Sequence, residues 1–211
     1  MKNSKQIVGT ISAIAILVSS VFVFNTSDQK LDSKSNKLQA VMIHTSASRE
    51  GKDVKAHQIV NYHLRSKDKG GRGWSKPGYS VIIELDGNTV ITNSYDDDDV
   101  ITYSEITNGA VGMNRIMRHI CYVGGLDSTG KKAKNTLTHA QDSAMKVYVL
   151  NFIETYPHAY VCGHNQFAKK ACPSFDVPEK CLEWGVPIPN IWKINSKYKI
   201  PEKYGKVIFK D

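Results

Sequence analysis

Nowhere does this chain gather lysines, arginines and aromatic residues into one compact cluster, so no nucleic-acid partner is expected. Lys and Arg nevertheless outnumber Asp and Glu by 28 to 20, for a formal charge of +8. That excess suits anionic surroundings such as phospholipid or an acidic polymer, and plain solubility accounts for it equally well. The acidic run Asp96 to Asp99 lacks the glycine and the spaced ligands of a calcium loop and reads as a solvated loop. There is no internal repeat, and the Pro- and Lys-rich tail beyond Cys181 is too short for a second folded domain. Cysteines number only four. Cys121 and Cys162 lie in apolar, strand-like runs and read as buried thiols, with a disulfide between them as the alternative that an exported protein would permit.

The N-terminus poses a different solvent problem. Lys2 and Lys5 precede an uncharged run from Ile7 to Phe24, eighteen residues long. That approaches the ~20 residues that span a bilayer as a helix and exceeds the ~7–15 of an ordinary signal-peptide core. Small residues are missing where a signal peptidase needs them, around Val21-Phe22-Val23-Phe24-Asn25. Residues 1–24 are therefore expected to form a hydrophobic helix that anchors the chain in a membrane, or a signal that is cleaved. Residues 25–37 read as a polar tether, 38–185 as one folded domain, and 186–211 as a basic C-terminal extension. The 211-residue length, less its N-terminus, suits a single domain.

Within that domain, hydrophobic periodicity alternates between strands and helices. Ala40 to Ile43 is an apolar run that ends in His44 and then turns polar, as a buried strand does when it delivers a side chain at its C-terminal end. Asp53 to Ser66 has an imperfect helical face, and its histidines, His57 and His63, read as surface or packing residues. Lys67 to Gly78 holds four glycines and a proline and reads as a loop. Tyr79 to Leu85 reads as a strand that turns at Asp86-Gly87 into Val90-Ile91-Thr92. His119 to Val123 is a further strand, and its histidine reads as an ordinary strand residue, with a supporting place behind a site's ligands as the alternative. Thr138-His139-Ala140-Gln141 is a capping-box start. The helix it opens has an apolar face of Ala144, Met145, Tyr148, Val149, Phe152 and Ile153 and stops before Pro157. A last strand, Ala159 to Cys162, leads into His164. The fold class expected is α/β: a single domain with a central mixed β-sheet flanked by helices.

The densest chemistry sits in Gly163-His164-Asn165-Gln166-Phe167-Ala168-Lys169-Lys170-Ala171-Cys172-Pro173. His and thiolate Cys are preferred zinc ligands, and two of them joined by one loop can converge on a single ion. If Lys170 to Cys172 is extended, the ammonium and the sulfur share one side of the backbone. A cation beside a metal is costly unless a negative charge develops there, as the oxyanion of a hydrolytic transition state does. His44 supplies a third ligand. Three protein ligands with a fourth position left for water is the catalytic arrangement; structural zinc sites close with four.

Val41-Met42-Ile43-His44-Thr45-Ser46-Ala47, Pro77-Gly78-Tyr79, Val123-Gly124-Gly125 and Lys170-Ala171-Cys172-Pro173-Ser174-Phe175-Asp176 follow one another in the order of a known family. Across roughly residues 38 to 185 the chain resembles the zinc-dependent N-acetylmuramoyl-L-alanine amidases, which include amidase-type phage lysozymes and peptidoglycan recognition proteins. The resemblance implies a peptidoglycan hydrolase that cleaves the amide between N-acetylmuramic acid and L-alanine. It implies one zinc ion on His44, His164 and Cys172, with Tyr79 in the place of the active-site tyrosine and Lys170 stabilising the oxyanion. The alternative within the same fold is a non-catalytic peptidoglycan binder, though such binders typically lack the cysteine that Cys172 provides. The chain departs from the family at Ile116-Met117-Arg118-His119, where Asn-Ser-Ile-Gly is common. Peptidoglycan and the membrane are thus the expected partners and a monomer the expected state. The enzyme would face the periplasm or cell wall, anchored, or secreted if residues 1–24 are removed.

Overall fold

The structure is a computed structural model that describes residue 31 and residues 35–193. The expected N-terminal hydrophobic helix, most of the tether and most of the C-terminal extension lie outside the described residues. Among the described residues, no helix is long and apolar enough to cross a membrane.

The elements run β1 (Ala40–Thr45), β2 (Ser48–Arg49), α1 (Ala56–Leu64), β3 (Val81–Ile83), β4 (Thr89–Ile91), β5 (Met117–Tyr122), β6 (Gly125–Leu126), α2 (His139–Thr155), β7 (Tyr160–Gly163) and α3 (Val177–Trp184). The main sheet has the order β4-β3-β5-β1-β7, and β2 pairs with β6 as a separate ribbon. β3, β5, β1 and β7 are mutually parallel, and β4 alone runs antiparallel, as a hairpin partner of β3. This is the mixed sheet that the residue pattern predicts. β1 is flanked on both sides, by β5 and β7, and all six of its residues are buried. A parallel strand covered on both faces needs such a run of apolar side chains rather than an alternation.

Alternation along the strands assigns the two faces. Val41 and Ile43, with Val81, Ile83, Ile120, Tyr122 and Val161, join Met145, Val149 and Phe152 of α2 and Cys181 and Leu182 of α3 in the main core. Each such side chain, fully buried, is worth about 1.5–3 kcal/mol relative to exposure. On the other face, Ile82 and Cys121 pack with Ala56 and Ile59 of α1, and Met42 and Cys162 pack with Trp192. Cys121 and Cys162 stand on strands that flank β1 on opposite sides, and both are free buried thiols. The disulfide alternative is thereby corrected: two strand spacings, ~9–10 Å, are too far for an S–S bond.

Caps fix the helices. At the start of α2 the Thr138 hydroxyl accepts from the Gln141 amide at 3.0 Å, and the Thr138 amide donates to Gln141 Oε1 at 3.1 Å. α1 begins on a carboxylate instead. The Ala56 amide donates to Glu84 Oε1 at 2.8 Å, and Glu84 Oε2 meets Lys55 at 3.2 Å. A carboxylate at a helix N-terminus is favoured by the helix dipole, and this one ties α1 to the end of β3. Val186, Ile191 and Trp192 are buried, so packing continues past the boundary expected at residue 185.

Candidate active site

Parallel strands with common polarity end on one edge, and open α/β sheets place their sites at the carboxyl ends. β1 ends one residue after His44, and β7 ends at Gly163, one residue before His164. Both imidazoles are buried, at 1% and 7% exposure. Cys172 arrives from the loop between β7 and α3. That loop is tied to the sheet edge: the Asn165 amide donates to the Cys172 carbonyl at 2.7 Å, Tyr122 Oη to the Pro173 carbonyl at 2.8 Å, and Ser174 Oγ to the Gly125 carbonyl at 2.9 Å. The Thr45 amide donates to Cys172 Sγ at 3.3 Å. Lys170 to Cys172 is not the extended segment envisaged; the chain bends there, with the Lys170 amide bonded to the Ala168 carbonyl at 2.7 Å. The ammonium and the thiol still line one cleft, because the turn rather than strand alternation brings them round.

His44, His164 and Cys172 each offer one donor atom, and those atoms lie within 4.8 Å of one another. Cys172 Sγ stands 3.6 Å from His44 Nδ1, and the His44 and His164 rings meet edge-on at 4.7 Å. His44 Nε2 lies 3.0 Å from His119 Nδ1. Burial, then the neighbouring His119, His164 and Lys170, holds the His44 imidazole well below its ordinary pKa. Burial and Lys170 push His164 down to about 4. Both rings are therefore neutral near pH 7 and carry the lone pairs that a metal requires. Burial pushes the Cys172 thiol up to about 11, against the pull of the Thr45 amide and Lys170. Two imidazoles and a thiol with a backbone donor already aimed at its sulfur form a zinc-type donor set. No fourth His, Cys, Asp or Glu joins the group among the described residues. The residues fit a three-ligand zinc site and do not fit a closed structural one.

The group opens into a cleft of about 470 Å³. Tyr79 stands on its wall, with its ring centroid 5.2 Å from that of His44. Burial first, then the thiols of Cys121 and Cys172, raises the Tyr79 pKa well above the ordinary value, so this phenol keeps its proton and acts as a donor. Lys170 lies at the solvent-exposed rim of the same cleft. Beside Tyr79, whose ring meets that of His63 edge-on at 5.3 Å, the cleft is lined by residues that sequence reasoning left out of the site. His63 is buried and stacks on Trp74 at 4.9 Å, accepting the Gly78 amide at Nδ1 over 3.2 Å. The Arg72 guanidinium sits 5.6 Å from the Tyr62 ring and 5.7 Å from the Trp74 ring. A cation and an aromatic ring in a glycine-rich stretch just before Tyr79 were the available signal for this wall. His57, by contrast, is exposed, as expected. A larger concavity of about 680 Å³ lies along residues 165–171 and 176–178, but of the site residues it touches only Lys170. The chemistry is in the smaller cleft.

No protein-family model matches the chain. It is 31% identical over 144 residues to the endolysin of Enterobacteria phage K11, covering 68% of this chain and 85% of that one. Among the solved structures similar in fold are an amidase and a recognition protein. N-acetylmuramoyl-L-alanine amidase LysC from Clostridium intestinale has a TM-score of 0.52 at 17% identity, over 75% of this chain and 91% of its own. Bumblebee PGRP-SA has a TM-score of 0.54 at 19% identity, over 81% and 97%. The chain belongs to the family of that phage endolysin, and it shares its fold with the amidase and the peptidoglycan recognition protein.

Proposed function

We propose that this protein is an N-acetylmuramoyl-L-alanine amidase that hydrolyses the amide between the lactyl group of N-acetylmuramic acid and L-alanine in peptidoglycan. The observation that carries the reading is the His44, His164 and Cys172 donor set, open on one side to a cleft flanked by Tyr79 and Lys170, in a chain of the endolysin family.

His44, His164 and Cys172 would hold one zinc ion, which when bound supplies Lewis acidity to polarise the scissile carbonyl and acidify a water. The remaining work falls to the chain's own groups. Tyr79, protonated and on the cleft wall, donates a hydrogen bond that orients the attacking water or the carbonyl. Lys170 brings a mobile ammonium to the rim, where it neutralises the charge that develops on the carbonyl oxygen as the carbon turns tetrahedral. The stacked His63 and Trp74, beside Tyr79, give the cleft a flat surface for the substrate to lie against. Two neutral imidazoles and one thiolate leave a divalent ion with a net positive charge, so its acidity is retained.

We further propose that residues 1–24 anchor the chain in a membrane and so hold the domain against the cell wall, or are a signal whose cleavage releases it. The apolar run from Ile7 to Phe24 supports this. Fractionating cells that express the full chain, beside one lacking residues 1–24, tests it; an intact full chain in the soluble cytoplasm refutes it.

The activity is tested on purified sacculi. The full chain is expected to release new L-alanyl amino termini without new reducing ends, a chelator to stop this, and added zinc to restore it. A protein that binds sacculi yet releases no amino termini would be the non-catalytic binder.

A further inference from the structure

Every metal-binding histidine has a second ring nitrogen, and what that nitrogen meets decides which tautomer the ring adopts. In His44 the ring is oriented by its surroundings. Nδ1 faces the Cys172 sulfur at 3.6 Å, and Nε2 faces His119 Nδ1 at 3.0 Å. His119 belongs to β5, where the parallel register sets it beside Met42 and puts its side chain on the His44 face of the sheet. It is fully buried. Its other nitrogen, Nε2, is buried too and meets no hydrogen-bonding group among the described residues.

Room for this ring comes from Gly109. A Cβ built there would lie 2.3 Å from His119 Cγ, closer than atoms can approach. Gly109 does not have a positive φ. Its lack of a side chain thus serves space rather than backbone freedom. The residue pattern favours an ordinary strand histidine at 119 over a supporting one, at a stretch where the chain departs from the family it resembles.

We infer that His119 is a positioning residue for the metal site: it accepts the His44 Nε2–H and so fixes His44 in the tautomer whose bare Nδ1 faces Cys172 and His164. The inference rests on the zinc reading of the site. Only two neutral arrangements join the pair. In one, His44 Nε2–H donates to His119 Nδ1, leaving His44 Nδ1 free to ligate. In the other, His119 Nδ1–H donates to His44 Nε2, and the proton then on His44 Nδ1 blocks ligation. A metal selects the first arrangement and places a proton on the partnerless His119 Nε2. The pair is thereby a two-position switch, biased by the ion.

The test uses the full chain loaded with zinc, and zinc affinity is read by competition against a chromophoric chelator. His119→Phe keeps a ring but removes the acceptor, and is expected to weaken zinc 10–100-fold, the usual cost of losing such a partner. His119→Asn, whose Oδ1 can stand where Nδ1 stood, is expected to recover most of that loss. A purely structural His119 would instead lower the melting temperature of the metal-free protein and leave the zinc affinity of the folded fraction unchanged. That result, or equal affinity in wild type and His119→Phe, overturns the inference. An independent measurement needs no variant: long-range ¹⁵N–¹H correlation on the zinc-loaded wild type should show His44 protonated at Nε2 and His119 protonated at Nε2. A proton on His44 Nδ1 overturns the inference even if both variants unfold. A wild type that takes up no zinc overturns the metal reading itself, a result distinct from all of these.

Discussion

The two faces of the central sheet treat buried polar groups in opposite ways. On the α2 side, Gln141 is fully buried, and its side-chain nitrogen donates to the Ile83 carbonyl at 3.2 Å and the Val123 carbonyl at 2.9 Å, while its oxygen accepts the Thr138 amide. On the other face, at the carboxyl end of β1, His44, His119, His164 and Cys172 crowd together with few partners of their own, and His119 Nε2 has none among the described residues. A satisfied buried amide costs little and welds strand ends to a helix. Neutral, under-partnered donors are costly as they stand, and that cost is offset when something binds them. The comparison teaches that buried polar groups on the α2 face serve the fold, whereas those gathered at the carboxyl end of β1 on the other face serve the chemistry.

The comparison would break if changes on the two faces had the same consequences. The largest effect is expected at Cys172→Ser, on the chemical face. Amide hydrolysis should fall by roughly 10³-fold or more, which corresponds to about 4 kcal/mol of lost transition-state stabilisation, and zinc uptake should fall with it. The melting temperature of the metal-free protein should scarcely move, and calorimetry on the apo form checks this. Ile120→Ala, fully buried on the α2 side, should do the reverse. Urea denaturation should show about 2–5 kcal/mol less stability, with unchanged hydrolysis per folded molecule.

Two smaller effects sharpen the chemical face. Lys170→Ala should slow hydrolysis by about 10²-fold, the scale for removing one oxyanion-stabilising contact. Zinc affinity should be preserved, because Lys170 is at the rim and is not one of the three donors. A proportionate loss of zinc would instead make the lysine part of the metal site. The last prediction concerns pH. With the His164 ring pushed down to about 4 and the Cys172 thiol up to about 11, the thiol alone must shed a proton when zinc binds near pH 7–8. Zinc uptake should therefore release about one proton, and affinity should rise about tenfold per pH unit through this range. Isothermal titration in buffers of different ionisation enthalpy counts that proton. A count near two would mean that an imidazole also starts out charged.

Much of the fold was legible because its signals are local. The Thr138 capping box, the apolar face of α2 and the Asp86-Gly87 turn each depend on residues a few positions apart. The donor set was legible for a different reason: His44 and Cys172 sit in motifs that resemble those of a family, and His164 is a second zinc-type donor one loop before Cys172. The wall of His63, Trp74 and Arg72 was not legible, because a helix and a glycine-rich loop meet there only after both have folded. For His119, the choice between an ordinary strand residue and a supporting one stayed open on the same ground. Nothing near it in sequence points to a ring 75 residues away.

By itself, then, the sequence determined which segments become strands and helices, which faces turn inward, and which three side chains have donor chemistry that suits a metal. Those properties follow from periodicity, capping and side-chain type, all set by near neighbours. Tertiary structure alone decided that Cys172 lies against a histidine 128 residues earlier, that Cys121 and Cys162 are kept apart by β1, and that His119 faces the inner nitrogen of His44. Parallel strands pair through long crossovers, so their register and the side chains that meet across it are settled only when the whole sheet closes.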